Sequence, residues 1–396
     1  MTDDLSQVNL VLFFSGGMSL KKWSDVGILD REVALYKKLQ GRFNHITFVS
    51  YGGSEDSQFK EQIGDVRLVL NKFRLPQRVY ERSIAVSHPA IWRGQSILKT
   101  NQIVGSEAAL RAAKLFRKKL VVRCGYLLSL NCERKFGKDS AEAKWARRIE
   151  ANVLPAADRI VVTTAEMSDA ICERYHVHQQ NITVIPNYVD TSLFSPGKSK
   201  DFSPKRIIFI GRLEKEKNLY SLLEATKELD VELIVIGSGS ESEGLKTLAD
   251  RSDLPVRFLG TVPHNSLPGL LRSAGVFILA SHYEGNPKVL LEAMACGTPV
   301  IGADSPGIRE LIDDGVTGLL CDPSPDGIRQ AIASLISDDA LRDRLGLNAT
   351  RHVVENYSLD RIVELEMEVY KSMGNTNSGV QRILPNLSET EAQCED

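Results

Sequence analysis

The chain alternates short apolar runs with amphipathic stretches over most of its length, a pattern that predicts alternating strands and helices. Helical stretches such as NLYSLLEATKEL separate the apolar runs of the second half. Runs that are apolar throughout are typical of parallel strands covered by helices on both faces. The second half is therefore predicted to be a doubly wound α/β domain. Its predicted strands are RIIFIG, VELIVIG, PVRFLG, GVFILAS, TPVIGAD and TGLLCD.

The first half repeats this pattern less regularly. Its predicted strands are VNLVLFF, HITFVSY, VRLVL, SILKTN, LVVRC, DRIVVTT and ITVIP. The segment 186–205 contains three prolines and several turn residues, so we predict a linker there. We expect one Rossmann-like domain over 1–190 and a second over 191–355. A C-terminal helix over 356–373 should pack back on the first domain, and the polar tail 374–396 should be disordered.

Composition narrows the class of protein. The chain has 396 residues, of which 42% are hydrophobic and 25% charged, enough for two soluble domains. Its net charge of −2 argues against nucleic acid as the main partner. No run approaches the roughly 18 apolar residues of a membrane span, and the acidic N-terminus is unlike a secretory signal. Six cysteines show neither C-x-x-C pairs nor metal-ligand spacing, so free thiols, a cytoplasmic location and no metal are expected.

The segment LASHYEGNPKVLLEAMACG (279–297) joins a predicted strand to an apolar helix. Asn286 and Pro287 are suitable as N-cap and first helical residue, and Gly297 as the helix stop. The helix would then present its N–H groups to a ligand, with Gly285 allowing close approach. Glu284 lies in the loop and Glu292 inside the apolar helix. A carboxylate there fits a sugar diol; the alternative is a weak pair with Lys288, four residues earlier.

Three other loops follow predicted strands. In GRLEKEKN, Arg212 and Lys217 could hold the oxygens of a diphosphate, although such a charged loop can also be merely solvated. Gly237-x-Gly239 is an incomplete dinucleotide fingerprint and a weak signal. Gly16-Gly17 follows the first strand, where backbone could meet a phosphate or second substrate; a plain turn is the alternative.

These motifs, in this order, resemble the retaining glycosyltransferases of family 4, which have the GT-B fold of two Rossmann-like domains facing each other across a cleft. Glu284 and Glu292 match that family's E-x7-E element, and Arg212 and Lys217 its phosphate-binding pair. The resemblance covers about 180–325, with VIPNYVDTSLFSP and SPGIRELIDDGVTGLL as further matches. In the first domain it is limited to the general layout and to Gly16-Gly17.

The resemblance implies a nucleotide-diphosphate sugar as donor and a hydroxyl acceptor, either a saccharide or a lipid-linked one. Glu284, Arg212 and Lys217 would act at the reacting centre, and Glu292 would hold the ribose. The donor-binding set would be Gly16, Gly17, Gly285, Asn286, Pro287, Lys288 and Glu292. A role in cell-envelope polysaccharide or glycolipid assembly follows from the family's habit. A GT-B nucleotide-sugar epimerase and a non-catalytic nucleotide-sugar-binding protein remain alternatives.

Two features of the first half each allow more than one interpretation. Many relatives carry a histidine where this chain has Arg123-Cys124-Gly125, so Asn101 or Arg123 is a candidate replacement, and the lone His88 is expected to be structural. The stretch 106–119 predicts a helix ending in a basic cluster. That cluster is either a solvated face or a contact with an anionic membrane. Its members are Arg111, Lys114, Arg117, Lys118 and Lys119.

Overall fold

Two parallel sheets organise the chain, and each lies in its own unit. In the computed structural model, which describes residues 4–373, the first unit comprises residues 4–19, Leu39–Ile185 and residues 364–373. The second unit comprises Leu20–Lys38 and Pro186–Val363. The predicted boundaries put residues 20–38 in the first domain, whereas they cluster with the second unit. Amphipathic periodicity predicts a helix but does not say which sheet the helix covers.

The first sheet contains seven parallel strands in the order β3-β2-β1-β4-β5-β6-β7. Each predicted apolar run of the first half forms one of them, because a run that is apolar on both faces is stable only between two helical layers. The strands are β1 (Val8–Phe13), β2 (His45–Val49), β3 (Arg67–Val69), β4 (Gln95–Thr100), β5 (Lys119–Cys124), β6 (Arg159–Val162) and β7 (Ile182–Val184).

The second sheet contains six parallel strands in the order β10-β9-β8-β11-β12-β13. The six apolar runs predicted in this half account for them. Central strands are the most apolar, and β11 is buried along its whole length. The strands are β8 (Ser203–Ile210), β9 (Glu232–Ile236), β10 (Val256–Gly260), β11 (Ala274–Leu279), β12 (Val300–Ala303) and β13 (Leu319–Cys321).

Helices alternate with the strands along the chain. Those before residue 186 are α1 (Leu20–Asp25), α2 (Leu29–Leu39), α3 (Lys60–Ile63), α4 (Gln77–Ser87), α5 (Ser106–Phe116), α6 (Leu128–Phe136), α7 (Ala141–Val153) and α8 (Ala165–Tyr175). Those after it are α9 (Leu219–Thr226), α10 (Ser242–Arg251), α11 (Leu267–Ser273), α12 (Lys288–Ala295), α13 (Pro325–Ser337), α14 (Asp339–Tyr357) and α15 (Leu359–Ser372).

The predicted linker 186–205 is a linker only in part. The second unit resumes at Pro186, the first residue of this segment. The following residues nevertheless pack into the second unit, where Val189 and Phe194 are buried in its core. Val189 also makes backbone hydrogen bonds at the junction of α14 and α15, donating to the Tyr357 carbonyl and accepting from Leu359 N. This segment therefore anchors the second unit as well as entering it.

The C-terminal helix α15 starts in the second unit, and its residues from Glu364 onward cluster with the first. Glu366 is fully buried there against Lys99. The predicted disordered tail, 374–396, lies outside the described residues.

Candidate functional site

Polar loops follow the strands of the second sheet at its carboxyl edge, where ligands of such sheets bind. The loop after β8 carries Arg212 and Lys217, and the loop after β11 carries Glu284 and leads into α12. Backbone hydrogen bonds join the two loops, since His282 N donates to the carbonyl of Glu216 at 2.9 Å. The two motifs singled out in the sequence are therefore neighbours in space.

Lys217 and Glu284 form an ion pair at the centre of these loops. The ammonium Nζ lies 2.5 Å from Oε1 of Glu284, and the Ser281 hydroxyl donates to the same oxygen at 2.7 Å. Only about a tenth of each side chain is exposed, 11% for Lys217 and 12% for Glu284. A cation and a carboxylate in this setting can exchange their mutual contact for contacts with a ligand's phosphate and hydroxyl groups.

Arg212 stands apart from this pair. Its side chain is 74% exposed and lies 3.5 Å from Glu216, four residues later. The same loop thus provides one cation that is held in place and one that is solvated. A phosphate role for Arg212 remains a prediction that requires the guanidinium to turn toward a ligand.

Two glycines fix the position of the loop that carries Arg212. A Cβ on Gly237 would lie 1.8 Å from the Gly211 carbonyl oxygen, and one on Gly239 would lie 2.3 Å from that of Leu213. The backbone at Gly237 has φ +131°, which side-chain-bearing residues rarely adopt. The incomplete glycine fingerprint is therefore explained by close packing of two backbone loops.

The helix α12 begins at Lys288, with Pro287 in the capping position and no side chain capping its first turn. The expectation that Asn286 caps the helix is wrong. Its Oδ1 accepts from Asn187 N at 2.9 Å, and Asn187 Nδ2 donates to its carbonyl at 2.6 Å. A tertiary contact with the 186–205 segment thus takes the side chain that a local rule assigns to the helix. An anion-binding role for this uncapped start stays a prediction. Gly297 (φ +73°) ends the helix as expected.

The sequence did not predict the contact that holds the backbone of Glu284 in place. The segment Ser305-Pro306-Gly307 follows β12, and Glu284 N donates to the Pro306 carbonyl at 2.9 Å. A Cβ on Gly307, where φ is +79°, would lie 2.4 Å from the Glu284 carbonyl oxygen. Gly307 therefore lets the two loops touch. The Pro-Gly pair after a strand was the available signal, although it predicts only a turn.

Glu292 is buried on α12, as expected, but its protein partners come from far away in the sequence. Its Oε1 lies 2.8 Å from Nε2 of His264 and 3.6 Å from Nη1 of Arg31. Lys288, the alternative partner, instead binds Glu32 at 2.7 Å and lies over the ring of Tyr188. Arg31 and Glu32 belong to α2, so the segment 20–38 supplies these contacts. No local signal in the sequence pointed to them.

The glycine loop of the first unit is shaped by close backbone approach. Gly16 N donates to the Val104 carbonyl at 2.9 Å, and a Cβ on Gly105 would lie 2.7 Å from Gly16 N. Gly17 has φ +76°. Both glycines lie at the carboxyl end of β1, and a ligand role for them remains a prediction.

The other candidates of the first unit are held by their neighbours. Arg123 lies 3.8 Å from Glu366, whose carboxylate also binds Lys99 at 2.7 Å, and Asn101 N donates to the Phe13 carbonyl. His88 lies 2.8 Å from the Ser87 hydroxyl, and burial lowers its pKa. A replacement role for Arg123 or Asn101 remains a prediction.

Two features are absent from residues 4–373. Those residues contain no group of three or more His, Cys, Asp or Glu side chains placed to hold a metal ion. None of the helices described is long and apolar enough to cross a membrane.

The fold and the loop geometry define the class first. The structure superimposes on sucrose-phosphate synthase from Thermosynechococcus elongatus with a TM-score of 0.77 and 19% identity, covering 92% of this chain and 99% of that one. It superimposes on Anabaena HepE, solved with UDP and glucose, with a TM-score of 0.75 and 18% identity, over 92% and 99%. Each parallel sheet forms the centre of an α/β unit, and the chain has the GT-B fold of these glycosyltransferases.

Sequence models then give the family. Residues 33–193 match the model "Glycosyltransferase Family 4", and residues 193–352 match "Glycosyl transferases group 1". The chain belongs to the family 4 glycosyltransferases. It is 30% identical to D-inositol 3-phosphate glycosyltransferase of Corynebacterium jeikeium over 59% of this chain and 62% of that protein. The chain spans about three fifths of the length of the curated relatives it matches.

Proposed function

We propose that this protein is a retaining glycosyltransferase that moves a sugar from a nucleotide-diphosphate sugar to a hydroxyl acceptor. One observation carries the proposal. The Lys217–Glu284 pair lies beside the uncapped start of α12, with the buried carboxylate of Glu292 further along the same helix. This arrangement offers a cation for a diphosphate, backbone donors for phosphate oxygens, and two carboxylates for sugar hydroxyls. HepE, a structural neighbour, was solved with UDP and glucose.

Each residue then has a role in the transfer. Lys217, with Arg212 turned inward, neutralises the diphosphate as its bond to the sugar breaks. Glu284 accepts hydroxyl groups of the sugar, and Glu292 those of the ribose. The N–H groups of Gly285, Asn286 and Lys288 bind sugar or phosphate oxygens. Electrostatic stabilisation of growing charge by such fixed donors is commonly the largest catalytic contribution.

Bond changes in the proposed step balance without a covalent enzyme intermediate. The sugar C1–O bond to the diphosphate breaks, and C1 gains oxocarbenium character. The acceptor oxygen bonds to C1 from the same face and gives its proton to a departing phosphate oxygen. The configuration at C1 is retained. The proposal needs no metal, so we expect turnover to survive EDTA.

A nucleotide-sugar panel tests this proposal. Thermal shifts with UDP-, GDP- and ADP-sugars identify the donor, because a ligand at 100 times its dissociation constant adds about 2.7 kcal/mol of stability. Turnover with the donor is then followed by NMR, which reports the C1 configuration of the product. Retention, or slow release of free sugar without acceptor, supports the proposal. An inverted product, an epimeric sugar, or binding without turnover would contradict it.

The proposal extends to the acceptor side, where a lipid-linked acceptor would be met on an anionic membrane. The helix predicted over 106–119 ends at Phe116, and Lys119 already lies in β5 paired with Asp158. The basic surface is instead shared with α4, which packs on α5. Exposed large apolar side chains accompany it, led by Phe73 at 86% exposure. They are Phe73, Val79, Val86 and Leu115, and the exposed cations are Arg78, Arg82, Arg111, Lys114 and Arg117.

Vesicle pelleting tests this extension. Each basic residue near an anionic surface is worth roughly 1 kcal/mol and is screened by salt, whereas apolar side chains hold the protein at the interface. We expect pelleting with phosphatidylglycerol but not phosphatidylcholine vesicles. Replacing Arg78 and Arg82 by Gln should weaken it. The same change at Arg344 and Arg351, exposed arginines on α14, should not. Equal pelleting with both lipids would leave the solvated-face alternative in place.

A further inference from the structure

Three side chains from distant parts of the sequence meet inside the second unit. Glu292 lies on α12, His264 on a short turn after β10, and Arg31 on α2. The Tyr188 hydroxyl donates to the Arg31 carbonyl, and Glu32 binds Lys288 at 2.7 Å. These two contacts fix α2 against the start of α12. The position of Arg31 beside Glu292 is therefore built by neighbouring contacts and does not depend on the Arg31–Glu292 pair alone.

One carboxylate oxygen of Glu292 has a hydrogen-bonding partner within this cluster, and the other has none. Glu292 Oε1 accepts from His264 Nε2 at 2.8 Å and lies 3.6 Å from Arg31 Nη1. Glu292 Oε2 is buried and has no hydrogen-bond partner. Arg31 Nε is also buried and has none, since its ion-pair partner Glu32 Oε1 lies 3.8 Å away, beyond hydrogen-bond distance. Buried polar atoms are nearly always hydrogen-bonded in folded proteins. One acceptor and one donor left unpaired in the same cluster point to a ligand group that can both donate and accept.

A hydroxyl group has this property, and a vicinal diol has it twice. One hydroxyl can donate to Glu292 Oε2 while a hydroxyl oxygen accepts from Arg31 Nε–H. A phosphate could use the arginine, but the carboxylate would repel it. An ammonium group could use the carboxylate but not the arginine. A neutral polyol therefore fits both unpaired atoms, and within a nucleotide sugar the vicinal diols are such groups.

We propose that Arg31 is a donor-binding residue that shares a vicinal diol of the nucleotide sugar with Glu292, and that His264 is the positioning residue for Glu292. This inference rests on the proposed function, because it takes the ligand to be a nucleotide sugar. His264 N–H occupies Oε1 and so leaves Oε2 directed to the ligand. The ring of His264 is in turn held at 5.0 Å from that of Phe194, tilted by 55°. The N-terminal segment 20–38 thereby becomes part of the donor site.

Calorimetric titration of the full chain separates a ligand contact from a structural one. UDP, GDP and ADP are compared first, and the tightest is tested again as its 2′-deoxy and 3′-deoxy forms. A hydrogen bond to a charged group is typically worth tenfold or more in affinity, so wild type should bind one deoxy form about tenfold more weakly. In Arg31→Met we expect weaker binding of the ribonucleotide and almost no remaining penalty for the deoxy form.

Matched variants sharpen the result. Lys38→Met changes another cation of α2, whose partner Asp360 is exposed, and should leave both affinities unchanged. His264→Gln keeps a donor near the position of Nε2 and should retain more affinity than His264→Ala. Repeating the titrations with UDP-glucose tests whether the diol is that of the ribose. A loss shared by UDP and UDP-glucose supports the proposal, whereas a loss limited to UDP-glucose contradicts it.

Two further outcomes would overturn the inference, and they differ. If Arg31→Met lowers affinity for the ribo and deoxy forms equally, Arg31 is only structural, and the proposed transferase function is untouched. If wild type binds none of the nucleotides or UDP-glucose and transfers no sugar, the proposed function fails first and this inference with it.

Discussion

At the carboxyl ends of β4 and β5 in the first sheet, Lys99 and Arg123 converge on Glu366 of α15. At the carboxyl ends of β8 and β11 in the second sheet, Lys217 meets Glu284, and the nearby Glu292 keeps one unpaired oxygen. Both edges thus combine cations with carboxylates. In the first, Lys99 bonds both oxygens of Glu366, and Tyr370 donates to one of them at 2.6 Å. The first cluster is closed by a helix, whereas in the second one oxygen of Glu292 has no hydrogen-bond partner.

This difference teaches that a charged residue at the end of a parallel strand has two possible uses. Burial lowers the pKa of Lys99, although Glu366 opposes that effect. Burial alone would raise the pKa of Glu366, but the charges of Lys99 and Arg123 outweigh it and hold that pKa below its ordinary value. Buried charges that are paired in this way act on stability. The comparison therefore predicts effects on folding in the first unit and effects on turnover in the second.

The largest effect is expected for Glu366→Ala, which leaves Lys99 as a buried cation without its carboxylate. Removing one partner of a buried pair typically costs about 3–5 kcal/mol. Chemical denaturation should show this loss. Because the folded-state pKa of Glu366 is lowered, its contribution is full above the unfolded value of 4.5 and is lost as pH falls below that. The contrast between the two units would be wrong if the variant were as stable as wild type at pH 7. It would also be wrong if both proteins lost the same stability as the pH falls.

Lys217→Ala should lower turnover by about two to three orders of magnitude, the usual cost of about 2.7–4 kcal/mol for losing one contact to charge that grows in the transition state. Arg212→Ala should also lower it strongly if the exposed guanidinium turns toward the diphosphate. The melting temperature should change little for Arg212, which is largely solvated. Near-normal turnover in both variants would remove the phosphate assignment.

Substitutions of the two glutamates should change different steady-state constants. Glu292→Gln is expected to raise the Michaelis constant for the donor more than it lowers the turnover number, because diol binding is shared by ground and transition states. A loss of about tenfold in donor affinity fits one hydrogen bond to a charged group. Glu284→Gln should mainly lower turnover. The opposite pair of profiles would mean that their roles are exchanged.

The smallest effect, and the most local one, is expected for Gly307→Ala. Its Cβ would meet the Glu284 carbonyl oxygen, so the loop that carries Glu284 must move. The positive φ alone costs about 1–2 kcal/mol. Gly315→Ala is a matched control, since Gly315 has φ +72° but open space around its Cβ position. We expect both variants to lose stability and only Gly307→Ala to lose turnover as well. Equal turnover would show that the contact behind Glu284 is dispensable.

Sequence patterns predicted the strands and the loops that carry Lys217 and Glu284, because apolar runs and strand-end loops are local features. They could not predict Arg31 or His264, which belong to ordinary amphipathic or turn segments and gain meaning only through tertiary contact. The capping prediction for Asn286 failed for the same reason, since Asn187 takes its side chain. In the sequence, Glu366 is one acidic residue of an amphipathic helix, and no local feature predicts its burial against Lys99.

The Lys99–Glu366 pair also has a consequence for synthesis on the ribosome. The two residues are 267 positions apart, and Glu366 is near the end of the described chain. While the chain emerges, β4 must either stay unpacked or bury a cation whose counter-charge has not yet been made. Translation of the first unit thus starts before that of the second unit and ends after it. A nascent chain stalled before residue 366 should therefore be more susceptible to proteases and chaperones in its N-terminal half than the finished protein.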